Sequence, residues 1–279
     1  MSQHFNKPDK SDKSDPTNKP NAHYWITGKN TVLQTLQTAP QRVQKVLIIK
    51  KPVGKDDRIE AIYNHIRDNG IPFQHVTKQQ LEQKLSRIEG EDSTAHQGVA
   101  AQLAPKPLLN LYQLIEHAKA AIESGQKPLI IMLDKVTDPR NYGAILRVAD
   151  ACGALAVVTT KRNHPGFGPA VTKTACGAES TVPIAVIPNL VQGLESLQPL
   201  GFWSVGADSG DETTVYTKYK ATTPTILVMG SEGAGLSRLT QKACDGCVHI
   251  PMRGQVDSLN VAAATAVLAF HLTEQLFSS

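Results

Sequence analysis

The sequence predicts an α/β protein whose larger, carboxy-terminal part is built on a parallel sheet. Short apolar runs alternate with helix-like segments along most of the chain, a pattern typical of βα units. The runs beyond residue 128 are apolar nearly throughout, as expected of strands that helices cover on both faces. The 279 residues are enough for one large or two ordinary domains.

The first 103 residues predict a tail and a small domain. Residues 1–22 are polar and rich in Lys, Asp, Ser, Asn and Pro. We expect a disordered tail there, because so polar a segment buries too little apolar surface to fold. Residues 23–103 predict a compact α/β domain. Its expected elements are a helix at 30–36, a strand at 43–49, a helix at 58–69, a strand at 73–76, a helix at 78–85 and a strand at 98–103.

The rest of the chain predicts a connector and a larger α/β domain. Pro105 and Pro107 interrupt regular structure, and a helix is expected at 108–124, so we interpret residues 104–127 as a connector. Residues 128–279 are the second predicted domain. Its expected strands lie at 129–133, 154–159, 182–187, 202–207, 225–229 and 247–250, and its last helix lies at about 258–277.

Charge and hydropathy restrict the class of protein. The formal net charge is +4, and residues 23–103 hold eleven Lys and Arg against eight Asp and Glu. This basic bias is compatible with a polyanionic partner and equally with an ordinary solvated surface. No apolar run reaches the roughly 18 residues that span a bilayer, and the first residues lack the apolar core of a signal peptide. We therefore expect a cytoplasmic protein with no membrane partner.

The four cysteines do not predict a metal site. Cys244 and Cys247 form a C-x-x-C pair with His249 nearby. A structural zinc site normally needs four ligands, usually from two such pairs, and the sequence has one pair. We favour reduced cysteines beside a turn, with zinc and a redox dithiol as alternatives.

Two loops in the last third of the chain hold the main functional signal, since each follows an apolar strand. The first is the glycine-rich segment 230–237, with Glu232 in its middle, and the second is 250–260, which includes Ser258 and Asn260. Ligands bind parallel sheets at the carboxyl ends of the strands, and glycines let a ligand approach the backbone. The loops predict a site for a nucleoside-type cofactor.

Simpler explanations exist for both loops. An ordinary glycine turn would account for the first, and its spacing is not the dinucleotide-binding fingerprint. In the second, Asp257 or Ser258 would be explained as the cap of the following helix. Asn260 is not explained in this way, because a polar side chain in the first turn of a helix apolar nearly all round needs a partner.

A third motif follows the strand at 129–133. Asp138-Pro139 is a helix-start signal, and Asn141 and Arg147 lie in the helix that follows. The two are six positions apart, so one straight helix does not place them on the same face. If both residues serve one site, we expect Asn141 to act from the loop or from the helix start. An arginine on a solvated face is the simpler alternative for Arg147.

Together the three motifs resemble those of the SPOUT superfamily of methyltransferases, and within it the TrmH/SpoU branch of RNA ribose 2′-O-methyltransferases. The resemblance covers residues 128–279. It extends to segments 28–32 and 96–100, which look like parts of a small RNA-binding domain similar to ribosomal protein L30e. Within the branch, the chain is most similar to enzymes that methylate a guanosine in the peptidyl-transferase loop of large-subunit rRNA.

The resemblance implies a fold, a cofactor and partners. The fold is α/β, with a deep trefoil knot beside the parallel sheet of the C-terminal SPOUT domain and a small L30e-like N-terminal domain. The knot is expected to hold S-adenosyl-L-methionine. The expected partners are 23S rRNA and a second copy of the chain, in a homodimer through the knotted domain, and no metal is implied. The residues implied to bind the cofactor are Met229, Gly230, Gly235, Ile250, Met252 and Leu259.

The resemblance also implies a catalytic set, which is Asn141, Arg147, Glu232, Ser258 and Asn260. Arg147 is the leading candidate to handle the ribose 2′-hydroxyl and its neighbouring phosphate. Arginine is a poor base at its ordinary pKa, so a phosphate of the substrate is an alternative proton acceptor. Glu232, Ser258 and Asn260 are expected to orient the loops and the target nucleotide.

Two other functions remain open. One is the same chemistry on tRNA or on another rRNA site. The other is a catalytically silent RNA-binding factor in ribosome assembly, which would be expected to lack Arg147, Glu232 or Asn260, and all three are present. The Gly/Pro-rich segment 164–169 departs from the resemblance, and substrate contact could differ there.

Overall fold

The computed structural model describes residues 24–50, 56–86, 96–210 and 213–277. They form two separate sheets, each with helices packed on both faces. The predicted tail of residues 1–22 lies outside the described residues. None of the helices in the described ranges has the length and apolar character needed to cross a bilayer.

The smaller sheet belongs to the amino-terminal part of the chain. Its strands are β1 (Tyr24–Thr27), β2 (Val43–Ile49), β3 (Phe73–Val76) and β4 (Val99–Leu103), in the order β1-β4-β2-β3, and its helices are α1 (Lys29–Thr38), α2 (Asp57–Asp68) and α3 (Lys78–Leu85). α1 and α2 cover one face, while Leu81 and Leu85 of α3 pack against the other. Only β2 and β3 are parallel, and β4 is antiparallel to both of its neighbours.

The larger sheet has seven strands, and every pair in it is parallel. The strands are β5 (Leu129–Leu133), β6 (Ala156–Thr160), β7 (Ile184–Ile187), β8 (Trp203–Ala207), β9 (Thr214–Val215), β10 (Thr225–Met229) and β11 (Gly246–His249), in the order β7-β6-β5-β10-β8-β11-β9. Apolar side chains alternate between two buried cores, one on each face. This confirms the predicted α/β class with a parallel sheet.

Seven helices cover the larger sheet. They are α4 (Leu111–Glu123), α5 (Pro139–Ala151), α6 (Pro169–Ala175), α7 (Ala178–Thr181), α8 (Leu190–Leu197), α9 (Arg238–Ala243) and α10 (Val261–Phe277). α5, α6, α7 and α10 lie on one face, while α4, α8 and α9 lie on the other. Both motif loops follow interior strands, β10 and β11. Because the strands are parallel, their carboxyl ends, and with them the two loops, lie on the same side of the sheet.

The structure differs from the prediction at several element ends. β1 and β9 were not predicted, because β1 is a four-residue strand beside the polar tail and β9 has two residues. The strands expected to begin at 154, 182 and 202 begin one or two residues later, and the strand expected at 247–250 is shifted by one residue. The last helix begins at Val261 rather than at 258, for a reason given below.

Buried polar contacts join the two sheets. The Arg42 guanidinium donates hydrogen bonds to the Ser180 hydroxyl at 2.7 Å and to the Tyr24 hydroxyl at 2.8 Å. The ammonium group of Lys106 donates to the carbonyl oxygens of Glu179, at 2.6 Å, and Val182. Both cations are almost fully buried, so removing their acceptors would leave buried donors without hydrogen-bond partners. These contacts fix the first part of the chain against α7.

The Gly/Pro-rich segment 164–169 also lies at this joint. The Phe167 ring stacks on Tyr24 with 6.3 Å between the ring centroids, and it contacts the cores of both sheets. His164 lies between Phe167 and the fully buried Tyr142 of α5. The segment therefore joins the smaller sheet to the helix that begins with the third motif.

His164 is expected to make the free energy of unfolding depend on pH. Burial lowers the pKa of His164 from an ordinary value near 6.5 to about 4. The unfolded chain therefore binds a proton between pH 6.5 and pH 4 that the folded chain does not, so the free energy of unfolding falls as the pH is lowered through this window. We expect a loss of about 2 kcal/mol between pH 7 and pH 4.5.

Urea unfolding at the two pH values measures this effect. His164→Phe should remove that part of the pH dependence, whereas His117→Gln on the exposed surface of α4 should keep it. A wild-type pH dependence in His164→Phe would show that the buried imidazole does not contribute.

Candidate active site

The carboxyl ends of β8, β10 and β11 surround a cavity of about 690 Å³, a size typical of small-molecule sites. Residues from both motif loops line it, and the first turns of α10 close one side. Nine of the eleven predicted site residues are in this lining: Met229, Gly230, Glu232, Gly235, Ile250, Met252, Ser258, Leu259 and Asn260.

The glycine-rich loop is closed tightly on itself. Ser231 and Gly235 exchange two backbone hydrogen bonds, with N–O distances of 3.1 and 3.0 Å. A Cβ atom on Gly230 would lie 2.2 Å from the carbonyl carbon of Gly235, so no side chain fits at this position. The Ser237 amide donates to the carboxylate of the buried Asp134, at 2.8 Å, which fastens the loop to the end of β5.

A cluster of three polar side chains joins the three motifs. The Asn260 side-chain amide donates to Glu232 Oε1 at 2.6 Å and to Asn141 Oδ1 at 2.9 Å. Asn141 lies in the first turn of α5, where the Asp138 carboxylate accepts hydrogen bonds from the Arg140 and Asn141 amides. The structure thus brings together residues that lie far apart in the sequence, and it places Asn141 at the helix start, one of the two expected positions.

Asn260 also caps the last helix. Its Oδ1 accepts from the Ala262 amide at 2.9 Å and from the Ala263 amide at 3.4 Å. The helix therefore begins at Val261, and the expected cap at Asp257 or Ser258 is wrong, because both precede the residue that caps it. Asn260 is exposed rather than buried. One side of its amide stabilises the helix end, while the other side holds the polar cluster.

Substitutions of Asn260 can separate these two roles. Asn260→Asp keeps an acceptor for the helix cap but removes the donor and places a second carboxylate beside Glu232. We expect it to retain most of the wild-type stability and to lose at least tenfold in activity. Asn260→Ala should lose the activity and also about 1 kcal/mol of unfolding free energy.

Urea unfolding and a single-turnover assay of both variants test this expectation. Full activity in Asn260→Asp would show that the donor to Glu232 and Asn141 is not needed.

Arg147 and Ser258 are not part of the cluster. Arg147 is exposed on α5, six residues beyond Asn141, and its guanidinium lies 3.5 Å from the Cys176 sulfur on the α6 side of the helix. α5 and α6 pack closely there, since a Cβ on Gly143 would lie 2.6 Å from the Val171 carbonyl oxygen. In the described residues Arg147 has no carboxylate partner. Ser258 lines the cavity and is exposed.

Asp208 and Ser209 were not predicted as site residues, and they line the same cavity from the end of β8. The available signal was a polar pair directly after an apolar strand. With Asp208, Glu232 and Asp257, the lining holds three carboxyl groups, and none of its described residues is Lys or Arg. Such a lining disfavours phosphate groups and favours a ligand with net positive charge.

The cysteine pair lies beside this region but carries no reactive feature. Burial raises the pKa of the Cys244 thiol to about 12, and burial also raises the pKa of Cys247. Both thiols stay protonated at neutral pH, whereas the thiolate is the form that binds metal or attacks a disulfide. Within the described part of the chain there is no group of three or more His, Cys, Asp or Glu side chains placed to hold a metal ion.

Comparison with protein families gives two matches. The SpoU rRNA methylase family matches residues 128–270, and the family described as RNA 2′-O ribose methyltransferase substrate binding matches residues 25–109.

Individual relatives cover nearly the whole chain. The 23S rRNA (guanosine-2′-O-)-methyltransferase RlmB of Photobacterium profundum is 37% identical over 90% of this chain and 97% of its own. RlmB of Haemophilus influenzae is 39% identical over 91% of this chain and 98% of its own. Among solved structures, the SpoU methyltransferase AviRb from Streptomyces viridochromogenes, in complex with AdoMet, is 21% identical with a TM-score of 0.70, and the match covers 92% of this chain and 91% of that one.

Proposed function

We infer the function of this chain from one premise, which is that it belongs to the SpoU rRNA methylase family. We propose that it transfers the methyl group of S-adenosyl-L-methionine to the 2′-hydroxyl of a guanosine in 23S rRNA. Relatives named for this activity match about nine-tenths of the chain, including both sheets. The match to a substrate-binding family over residues 25–109 supports RNA recognition by the smaller sheet and its helices.

The observation that carries the proposal is the Glu232–Asn260–Asn141 cluster at the edge of a cavity with a glycine-rich wall. The residues present fit S-adenosyl-L-methionine in three respects. Gly230 lies where a side chain would be excluded, and the cavity volume is in the range typical of small-molecule sites. The acidic lining suits a ligand whose sulfonium and ammonium outweigh one carboxylate. When bound, the cofactor supplies an electrophilic methyl group.

Each predicted site residue has a proposed role in this reaction. Met229, Gly230, Gly235, Ile250, Met252 and Leu259 form the cofactor wall. Asn260 holds Glu232 and Asn141 in one orientation, so that the target ribose contacts polar groups of fixed position. Ser258 contributes a hydroxyl group to the cavity lining. Holding two reacting atoms in line is worth up to about 7–11 kcal/mol in favourable cases.

Arg147 is proposed to bind the RNA backbone beside the target ribose. Its exposure and its lack of a carboxylate partner among the described residues leave the guanidinium available for a phosphate. A positive charge there favours the ionised 2′-hydroxyl as the proton leaves. The proton acceptor is then a phosphate oxygen of the substrate or solvent, because arginine stays protonated.

A trefoil knot remains a proposal for the last third of the chain. Its support is the strand order, in which β10 inserts between β5 and β8 and β11 inserts between β8 and β9. The hydrogen bonds from Ser237 to Asp134 and from Asn260 to Glu232 tie the two loops to earlier parts of the chain.

Homodimerisation is also a proposal, supported by the exposed apolar side chains of α10. Val267, Phe270 and Phe277 are 37%, 49% and 62% exposed, and paired copies would remove them from water. Phe270→Asp is expected to convert a dimer to a monomer, because a carboxylate in a buried interface is left without a partner.

Light scattering after gel filtration measures this change. Tyr112→Asp, on the exposed surface of α4, is the matched control and should remain dimeric. A dimeric Phe270→Asp would place the interface elsewhere.

Mapping ribose methylation in cells tests the proposed activity. A strain lacking this gene should lose one 2′-O-methylguanosine in 23S rRNA, and the wild-type gene should restore it. Loss of a ribose methyl group from tRNA instead, or no change in any RNA, would contradict the proposal. A cytoplasmic location follows from an rRNA substrate and belongs to the same proposal.

A further inference from the structure

The carboxylate of Asp208 has no role in the reaction as described above. It lies at the carboxyl end of β8, between the strands that carry the two motif loops, and it lines the proposed cofactor cavity. It is partly buried, and the described residues provide no Lys or Arg within ion-pair distance. A carboxylate that lines a cavity without a neighbouring cation can accept hydrogen bonds from a ligand.

Asp208 is held in one orientation by three contacts. Its Oδ2 accepts a hydrogen bond from the Gln241 side-chain amide, and its Oδ1 accepts from the Ser209 amide at 2.7 Å. Its own backbone amide donates to the Val248 carbonyl at 3.0 Å, which continues the pairing of β8 with β11. Each carboxylate oxygen thus has one donor already and keeps a further lone pair.

The surroundings of Asp208 indicate which part of the cofactor it meets. The donors to its carboxylate come from α9 and from the loop after β8, not from the Glu232–Asn260–Asn141 cluster. Its Oδ1 lies 3.7 Å from the position that a Cβ on Gly235 would occupy, so the glycine leaves open the space between the carboxylate and the cofactor wall. Two acceptors on one rigid carboxylate match two hydroxyl groups on neighbouring carbon atoms.

We propose that Asp208 binds the ribose of S-adenosyl-L-methionine by accepting hydrogen bonds from its two hydroxyl groups, with Gln241 as the positioning residue. This inference rests on the proposed function and adds a binding residue that none of the three motifs contains. Carboxylates bind ribose hydroxyls in the same way in dinucleotide-binding sheets. Because the ribose does not react, Asp208 contributes to cofactor affinity rather than to the methyl-transfer step.

Calorimetry with S-adenosylhomocysteine and its 3′-deoxy analogue tests the inference without any turnover. We expect Asp208→Asn, which preserves size, to weaken binding of S-adenosylhomocysteine about tenfold, or about 1.4 kcal/mol. The wild type should bind the 3′-deoxy analogue about tenfold more weakly than S-adenosylhomocysteine. Asp208→Asn should bind the two ligands with nearly equal affinity. Gln241→Leu should show a smaller loss, and Glu116→Gln on the exposed surface of α4 should bind like the wild type.

Three results would overturn the inference while leaving the proposed function in place. Asp208→Asn could bind S-adenosylhomocysteine with wild-type affinity. Asp208→Asn could bind S-adenosylhomocysteine more tightly than the 3′-deoxy analogue by the same factor as the wild type. It could instead remove the wild-type preference for S-adenosylhomocysteine over its deamino analogue, which would assign the carboxylate to the ammonium group. Failure of the wild-type protein to bind S-adenosylhomocysteine would contradict the proposed function itself. Urea unfolding of each variant confirms that the fold is intact.

Discussion

Arg147→Ala is expected to reduce methyl transfer at least a hundredfold while the free energy of unfolding changes by less than about 0.5 kcal/mol. The side chain is exposed on α5, and its one hydrogen bond in the described structure is the 3.5 Å contact with the Cys176 sulfur. Its removal therefore leaves no cavity and no buried group unpaired. What is lost is the positive charge proposed to lie beside the phosphate and the ionising 2′-hydroxyl.

Single-turnover methylation with saturating RNA and cofactor measures this loss at the chemical step. Arg140→Ala is the matched control, since Arg140 is an exposed arginine in the first turn of the same helix. The control should keep near-normal turnover and show at most a weaker RNA affinity at low salt. Near-normal turnover in Arg147→Ala would remove this residue from the mechanism.

Gly230→Ala is expected to weaken cofactor binding at least a hundredfold. The new Cβ would lie 2.2 Å from the Gly235 carbonyl carbon and 2.4 Å from its oxygen. Both atoms belong to the backbone, so the clash is relieved only if the whole loop moves. The loop must then open, and the hydrogen bonds between Ser231 and Gly235 must break. Such overpacking also lowers the free energy of unfolding by about 1–3 kcal/mol.

Calorimetric titration with S-adenosylhomocysteine measures the affinity. Gly254→Ala is the control in the second loop, because a Cβ at Gly254 has no heavy atom within 4 Å, and it should bind like the wild type. Wild-type affinity in Gly230→Ala would mean that the glycine-rich loop does not form the cofactor wall.

The sequence predicted five elements to the residue, namely β2, β3, α3, β5 and β10. β5 and β10 are buried at all five positions, and their residues are apolar except for Thr225. β1 was missed because it has only four residues and directly follows the polar segment 1–22. β9 was missed because two residues are too few for a periodic signal.

The site was predictable to a different degree for each residue. The two loops could be expected at one sheet edge because parallel strands align their carboxyl ends. The contact of Asn141 with Asn260 spans 119 positions of sequence, and residue spacing alone could not have predicted it. Asp208 lies in a stretch rich in Asp, Gly and Ser, which is typical of turns, so the polar pair after β8 indicated a turn as readily as a cavity residue.

Methyl transfer to isolated 23S rRNA is the decisive assay of the proposed activity. The purified protein is incubated with S-adenosyl-L-methionine that carries a labelled methyl group and with 23S rRNA from the strain lacking this gene, and the RNA is then digested to nucleosides for mass spectrometry. We expect one labelled methyl group per 23S rRNA, recovered as 2′-O-methylguanosine and absent with Arg147→Ala. Label on a base, label only on added tRNA, or no transfer to RNA would contradict it.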